Sequence, residues 1–230
     1  MLMQLTQRRR SLFALLISVP FTSIGAVMSL LIAPGIIGQT ILVMCQLWLL
    51  FLPVAWLLWV ERKPLKISKP TRYDWLIGLA LGLLMFGIIL ATYWFFLRDW
   101  INVNDVRNKL QKVGNINQLF FKLGGAYFIL INALIEEYFW RWFVYSRCEE
   151  LVSGRTAVFL AALFFTIHHT IGLAVFTDWR MVLLGSLFVF VAGVVWSECY
   201  RRYRSIWSNY FSHLIADLAL HIVAWQIFFG

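Results

Sequence analysis

Seven long apolar stretches, at about residues 11–33, 38–60, 74–97, 119–146, 156–176, 181–199 and 206–229, dominate this 230-residue chain. A helix crosses a hydrocarbon layer of about 30 Å in about 20 residues, so each stretch is read as one crossing. The sequence therefore predicts an all-α, polytopic transmembrane helix bundle of about seven spans. Composition agrees: 61% of residues are hydrophobic and 13% charged, against roughly half and a quarter in a soluble domain. Arg8, Arg9 and Arg10 precede the first apolar run as in a signal peptide, but that run is longer than a signal-peptide core and is read as a first span. Pro34-Gly35 marks the first turn. Residues 98–118 form the one substantial polar loop, whose mixed apolar and charged residues suit a short interfacial helix acting as a connector. The expected organisation is an N-terminal part, 1–118, with three spans and this loop, and a core of four spans, 119–230.

Lysine and arginine set the orientation. With the N-terminus inside, the inner segments hold Arg8, Arg9, Arg10, Arg62, Lys63, Lys66, Lys69, Arg72, Arg147, Arg155, Arg201, Arg202 and Arg204. The outer segments hold Arg98, Arg107, Lys109, Lys112, Lys122 and Arg180. The excess on the first set predicts N-in/C-out. The net charge of +9 is then assigned to loops facing an anionic membrane surface rather than to nucleic acid, since no soluble segment carries a basic block with interleaved aromatics.

Charge inside a bilayer costs a few kcal/mol per residue, so the polar residues within the spans are the functional candidates. Glu136, Glu137 and Arg141 share the fourth span, His168 and His169 the fifth, and His213, Asp217 and His221 the seventh. Under N-in topology, Glu136, His168 and His213 lie about ten, twelve and seven residues from the inner face, roughly 10–18 Å deep at 1.5 Å per residue. One layer thus holds all three clusters. Glu137 and Arg141 are four apart and can pair on one helix face. That leaves Glu136 rotated away, without an obvious local partner, as a carboxylate able to act as a general base. Asp217, one turn after His213, can fix the imidazole tautomer or join it in holding an oxyanion or a metal. His168 and His169 point about 100° apart, so one is expected at the site. His221 is read as a packing residue.

These are the parts for activating a water: a carboxylate to take its proton, and imidazoles to orient it or stabilise an oxyanion. Glu136, His168 and His213 could alternatively hold a divalent metal such as zinc. The His-Glu-x-x-His motif, the nucleophile elbow, the P-loop and the dinucleotide-binding glycine pattern are all absent from the sequence. Cys45, Cys148 and Cys199 lack Cys-x-x-Cys spacing, so neither a disulfide framework nor a thiolate zinc site is indicated. Cys45 reads as apolar filler.

Glu136-Glu137-x-x-x-Arg141, Phe164-x-x-x-His168 and His213-x-x-x-Asp217, in that order and in apolar spans, resemble the three signature motifs of the CAAX-protease and bacteriocin-processing (CPBP/Abi) family of intramembrane endopeptidases. The resemblance covers roughly residues 130–220. It implies hydrolysis of a peptide bond of a membrane-associated protein or peptide, with water activated by Glu136 and His168. It further implies an oxyanion held by His213 and Asp217, with Glu137 and Arg141 in supporting positions. It leaves open whether a metal takes part. Phe165-x-x-x-His169 also satisfies the second motif, which keeps His169 as the alternate. A carboxylate at Asp217 would repel an oxyanion unless protonated or bound to a metal. The implied setting is the plasma membrane. The competing readings are a non-catalytic immunity or regulatory protein on the same scaffold, and a small proton-coupled carrier; no internal repeat supports the carrier.

Overall fold

The computed structural model describes residues 6–65, 68–113 and 117–230. Among these, eight helical stretches account for the architecture. They are α1 (Gln7–Ile32), α2 (Ile36–Glu61), α3 (Arg72–Leu97), α4 (Val103–Val113), α5 (Gln118–Leu151), α6 (Gly154–Phe176), α7 (Trp179–Tyr203) and α8 (Trp207–Phe229). All but α4 are long and apolar enough to cross a membrane. No strand occurs among the described residues. The seven expected spans are present, each within a few residues of its expected limits. Their outward faces are apolar: Ile36 is 79% exposed, Phe95 80% and Leu31 58%. A surface of that kind is compatible with lipid as the solvent and incompatible with water. The chain is an integral, multi-pass membrane protein.

Packing divides the chain into two units. The first comprises the described residues of Met1–Ser68 and Tyr138–Arg204, the second Lys69–Glu137 and Ser205–Gly230. Each unit draws on both sides of residue 118. Lys66, one of the cations used for the orientation, lies outside the described residues, as do residues 114–116 of the polar loop.

In the first unit α6 and α7 form an antiparallel pair. Asp178 caps the start of α7, accepting from the backbone N–H groups of Arg180 (2.7 Å) and Met181 (3.2 Å). Gly193 lets α7 approach Ala162 closely, and Thr170 and Ser186 share a 2.7 Å hydroxyl bond inside the pair. The first span breaks at Ile17–Ser18, two residues before Pro20. The Ile17 carbonyl there accepts from the Trp48 indole (2.8 Å), as a broken helix in lipid requires. Cys45 packs beside Gly25, and all three cysteines are buried and outside any disulfide. Charged residues gather where α1 begins and where α2, α5 and α7 end. Arg147 pairs with Glu61 and Glu150, Ser11 donates to Glu150, and Arg204 holds Glu149 through two bonds of 2.6 and 2.7 Å. Every carboxylate in this cluster has a cation or a hydroxyl donor, so little burial cost is left uncompensated.

In the second unit α3 packs along α8 through Gly78 and Gly82, a small-xxx-small pair that brings helices close in lipid. Trp75 stacks on Phe211 at 3.6 Å. Thr71 and Asp74 form a reciprocal capping box at the start of α3. The polar loop does contain the expected short helix, α4. It is capped by Asn102 and tied to the end of α8 by Arg107, which donates to the carbonyls of Ile227 (2.9 Å) and Gly230 (3.2 Å). His221 stacks face to face on Phe121 (4.6 Å) and lies against Gly125, the packing role expected of it.

A side chain at Gly78 would place its Cβ 2.6 Å from Phe211 Cβ and 2.9 Å from the Ser208 carbonyl, whereas at Gly87 it would meet nothing within 4 Å. Gly78→Val is expected to cost about 1–3 kcal/mol by overpacking and Gly87→Val far less. Thermal unfolding of the purified protein in detergent distinguishes the two.

Candidate functional site

The seventh span brings His213 into the interior of the second unit one turn before Asp217, and α5 delivers Glu136 and Glu137 to it. His213 Nδ1 lies 2.8 Å from Glu137 Oε1. Its Nε2 lies 3.6 Å from Asp217 Oδ1 and 3.8 Å from Glu136 Oε2. Glu137 is fully buried, and the His213, Glu136 and Asp217 side chains retain 6%, 16% and 21% of their exposure. One imidazole thus faces three carboxylates. Glu137 is the residue at hydrogen-bonding distance of Nδ1 and orients the ring. Asp217 stands instead beside the opposite nitrogen.

Glu136 has the local partner that the sequence reading did not find. Asn132, one turn earlier, donates to Glu136 Oε1 at 2.9 Å. Asn132 closes a π-helical turn, Phe128–Asn132, and such turns recur at functional sites because they re-aim side chains. The four-residue spacing that singled out Glu137 with Arg141 applies equally to Asn132 with Glu136. That signal was available and not used.

The Nε2 side of His213 is where chemistry is possible. On that side the ring nitrogen faces the carboxylates of Asp217 and Glu136. Two carboxylates and an imidazole nitrogen within 4 Å need a proton or a cation among them. Imidazole nitrogen and carboxylate oxygen are donors of the kind that hold zinc, with Glu137 as the partner that orients the ring from behind. A proton shared among these groups, or a cation, would neutralise the set.

The first unit holds the other motif residues, Arg141, His168 and His169. Arg141 is fully buried, with its guanidinium 4.6 Å above the Phe165 ring and 5.3 Å from that of Trp196. His168 lies parallel to Trp140, ring centroids 5.2 Å apart at 6°. Phe165 meets His168 edge-on at 5.7 Å and His169 at 4.6 Å. Phe165, only 2% exposed, is therefore the aromatic that touches both histidines. Phe164, named by the motif, is only partly buried. Trp140 and Trp196 carried no sequence signal beyond being aromatic, whereas Phe165 was marked by the alternative register of the second motif.

Residues 118–219 match the family model described as type II CAAX prenyl endopeptidase Rce1-like. The matched stretch, similar to that protease family, includes Glu136, Glu137, Arg141, His168, His169, His213 and Asp217 and ends before His221. No curated protein and no solved structure matches the chain.

Glu137→Ala strips His213 Nδ1 of its buried partner and is expected to lower stability by about 1–3 kcal/mol. Glu137→Gln keeps an oxygen acceptor in place and should retain most of it. Melting temperatures of the two variants in one detergent check the difference.

Proposed function

We propose that this chain, through its Rce1-like domain, is an intramembrane endopeptidase that hydrolyses a peptide bond of a membrane-associated protein or peptide. The observation that carries the reading is the His213 environment: an imidazole oriented by Glu137 at 2.8 Å, with Glu136 and Asp217 beside its other nitrogen, in a bilayer-embedded stretch similar to a protease family.

In this reading Glu136 takes a proton from the attacking water as the water oxygen adds to the scissile carbonyl. His168 assists in orienting that water. The carbonyl oxygen becomes an oxyanion and is stabilised from the His213–Asp217 side. Collapse of the tetrahedral species breaks the C–N bond, and the proton held by Glu136 passes to the leaving amine. Asn132 aims the Glu136 carboxylate, Glu137 aims His213, and Arg141 supports the fold around the site. General-base assistance contributes about 10²–10⁴-fold and an oxyanion donor about 10²–10³-fold. Where a divalent metal such as zinc is bound, Glu136, His168 and His213 are the residues that would hold it, and it would supply Lewis acidity to water or carbonyl.

The catalytic region is residues 119–230, with 1–118 supplying the first three spans. The excess of Lys and Arg on one set of loops supports an N-in/C-out arrangement in the plasma membrane. The substrate class is a prenylated CAAX-type peptide or another membrane-anchored peptide whose cut site enters the helical bundle.

Purified protein in vesicles, offered a fluorogenic farnesylated CAAX peptide and an unprenylated membrane-anchored peptide, is expected to cleave at least one. Glu136→Gln and His168→Ala are each expected to lose at least about 100-fold in rate. Full activity in both variants overturns the reading in favour of a non-catalytic membrane protein. Elemental analysis of the purified protein, with and without chelator treatment, decides the cofactor: activity that falls with metal content assigns the metal, and activity that survives metal removal assigns a carboxylate-activated water.

A further inference from the structure

We infer that Trp140 is a positioning residue for His168, setting the plane of the imidazole through a parallel ring stack. The inference rests on the endopeptidase reading in which His168 orients the attacking water.

A functional histidine is ordinarily oriented by a hydrogen bond to its second ring nitrogen. His168 is held differently. Its Nδ1 is buried and has no hydrogen-bond partner among the described residues. Its ring lies on the face of Trp140, with centroids 5.2 Å apart and planes 6° from parallel. That separation is in the range of an offset aromatic stack. Phe165 closes the edge of the imidazole at 5.7 Å and 77°, and also meets the Trp140 ring edge-on at 5.7 Å and 80°. The Arg141 guanidinium covers one face of Phe165. Trp140 and Phe165 are 1% and 2% exposed, so both rings are enclosed by the protein.

The torsion that turns an imidazole about its Cβ–Cγ bond is broad and weakly two-fold. Without a hydrogen bond or a stack, the ring nitrogens of His168 would sweep over a wide arc. The parallel contact with Trp140 removes that freedom. The backbone supplies the placement: Tyr138–Tyr145 is a π-helical segment, and across it Trp140 reaches His168 while the next residue, Arg141, reaches Phe165 and Trp196. A misplaced reacting group costs up to about 100-fold in rate with little effect on ground-state binding.

The test is steady-state cleavage of the farnesylated CAAX peptide by wild-type protein and by Trp140→Leu, Trp140→Met and Trp140→Phe in vesicles, with melting temperature measured in parallel. Loss of the ring in Trp140→Leu or Trp140→Met is expected to lower kcat by about 10–100-fold with KM unchanged. Trp140→Phe keeps a ring face and is expected to recover most of kcat. Phe143→Leu, truncating a neighbour that is 3% exposed, supplies the control for lost packing: it lowers the melting temperature and leaves kcat in place. Trp140→Met preserves much of the side-chain volume and keeps the test decisive should Trp140→Leu fail to fold. A wild-type kcat in either ringless variant, alongside an inactive Glu136→Gln, overturns the positioning role and leaves the endopeptidase reading intact. The same holds if kcat follows melting temperature across all four variants. Full activity in Glu136→Gln overturns both.

Discussion

A polar group inside a hydrocarbon layer has no water to fall back on, so the protein itself must supply each partner. The contact between His213 and Glu137 is the point where this chain meets that demand most closely: a buried imidazole and a fully buried carboxylate at 2.8 Å. Glu136, Asp217 and Asn132 are arranged around that pair. The contact ties α8 to the end of the first half of α5. In doing so it puts the last motif and the two glutamates that begin the first motif into one cluster within the second unit. The contact holds the imidazole in one orientation, with its Nδ1 toward Glu137 and its Nε2 toward Glu136 and Asp217.

The same demand shapes the rest of the molecule in two other forms. At the helix ends of the first unit, Arg147, Arg204, Glu61, Glu149 and Glu150 neutralise one another, so charges can sit at the margin of the spans. In the interior, where apolar burial gives no preference for helix over lipid, close approach replaces the hydrophobic effect. Gly78 and Gly82 against α8, and Gly193 against Ala162, are the places where backbones come near enough for packing to hold the helices together. Where a helix breaks, at Ile17–Ser18, a tryptophan indole satisfies the exposed carbonyl. Rings do the corresponding work around His168, where Trp140 and Phe165 constrain a side chain whose Nδ1 has no hydrogen-bond partner among the described residues.

The spans were legible because hydrophobic length is a local property, and so was the short helix in the polar loop. The residues of the cluster were legible because charge in an apolar run is rare for an energetic reason. Their partners were less so. Four-residue spacing relates Glu137 to Arg141, and the structure adds a contact with His213, 76 positions away in the chain. Spacing within one helix says nothing about a neighbour on another. Asn132 was readable by the very rule applied to Glu137 and passed unnoticed because amides do not stand out in an apolar run as charges do. Phe164 and Phe165 could not be separated from sequence, since both satisfy the same motif, and only packing buries one and leaves the other partly exposed.

By itself the sequence determined the class of molecule: an all-helical protein of seven crossings, with acidic and histidine side chains held at an energetic cost inside them. Length, hydropathy and the price of buried charge are additive along a chain and need no fold to be read. The tertiary structure alone decided the pairing. It assigned Glu137 to His213, set Asp217 and Glu136 beside the other nitrogen, and laid His168 on Trp140. Those contacts depend on helix rotation, on π-helical turns that shift side chains off the α-helical register, and on which distant helix lies alongside, and no local pattern encodes them.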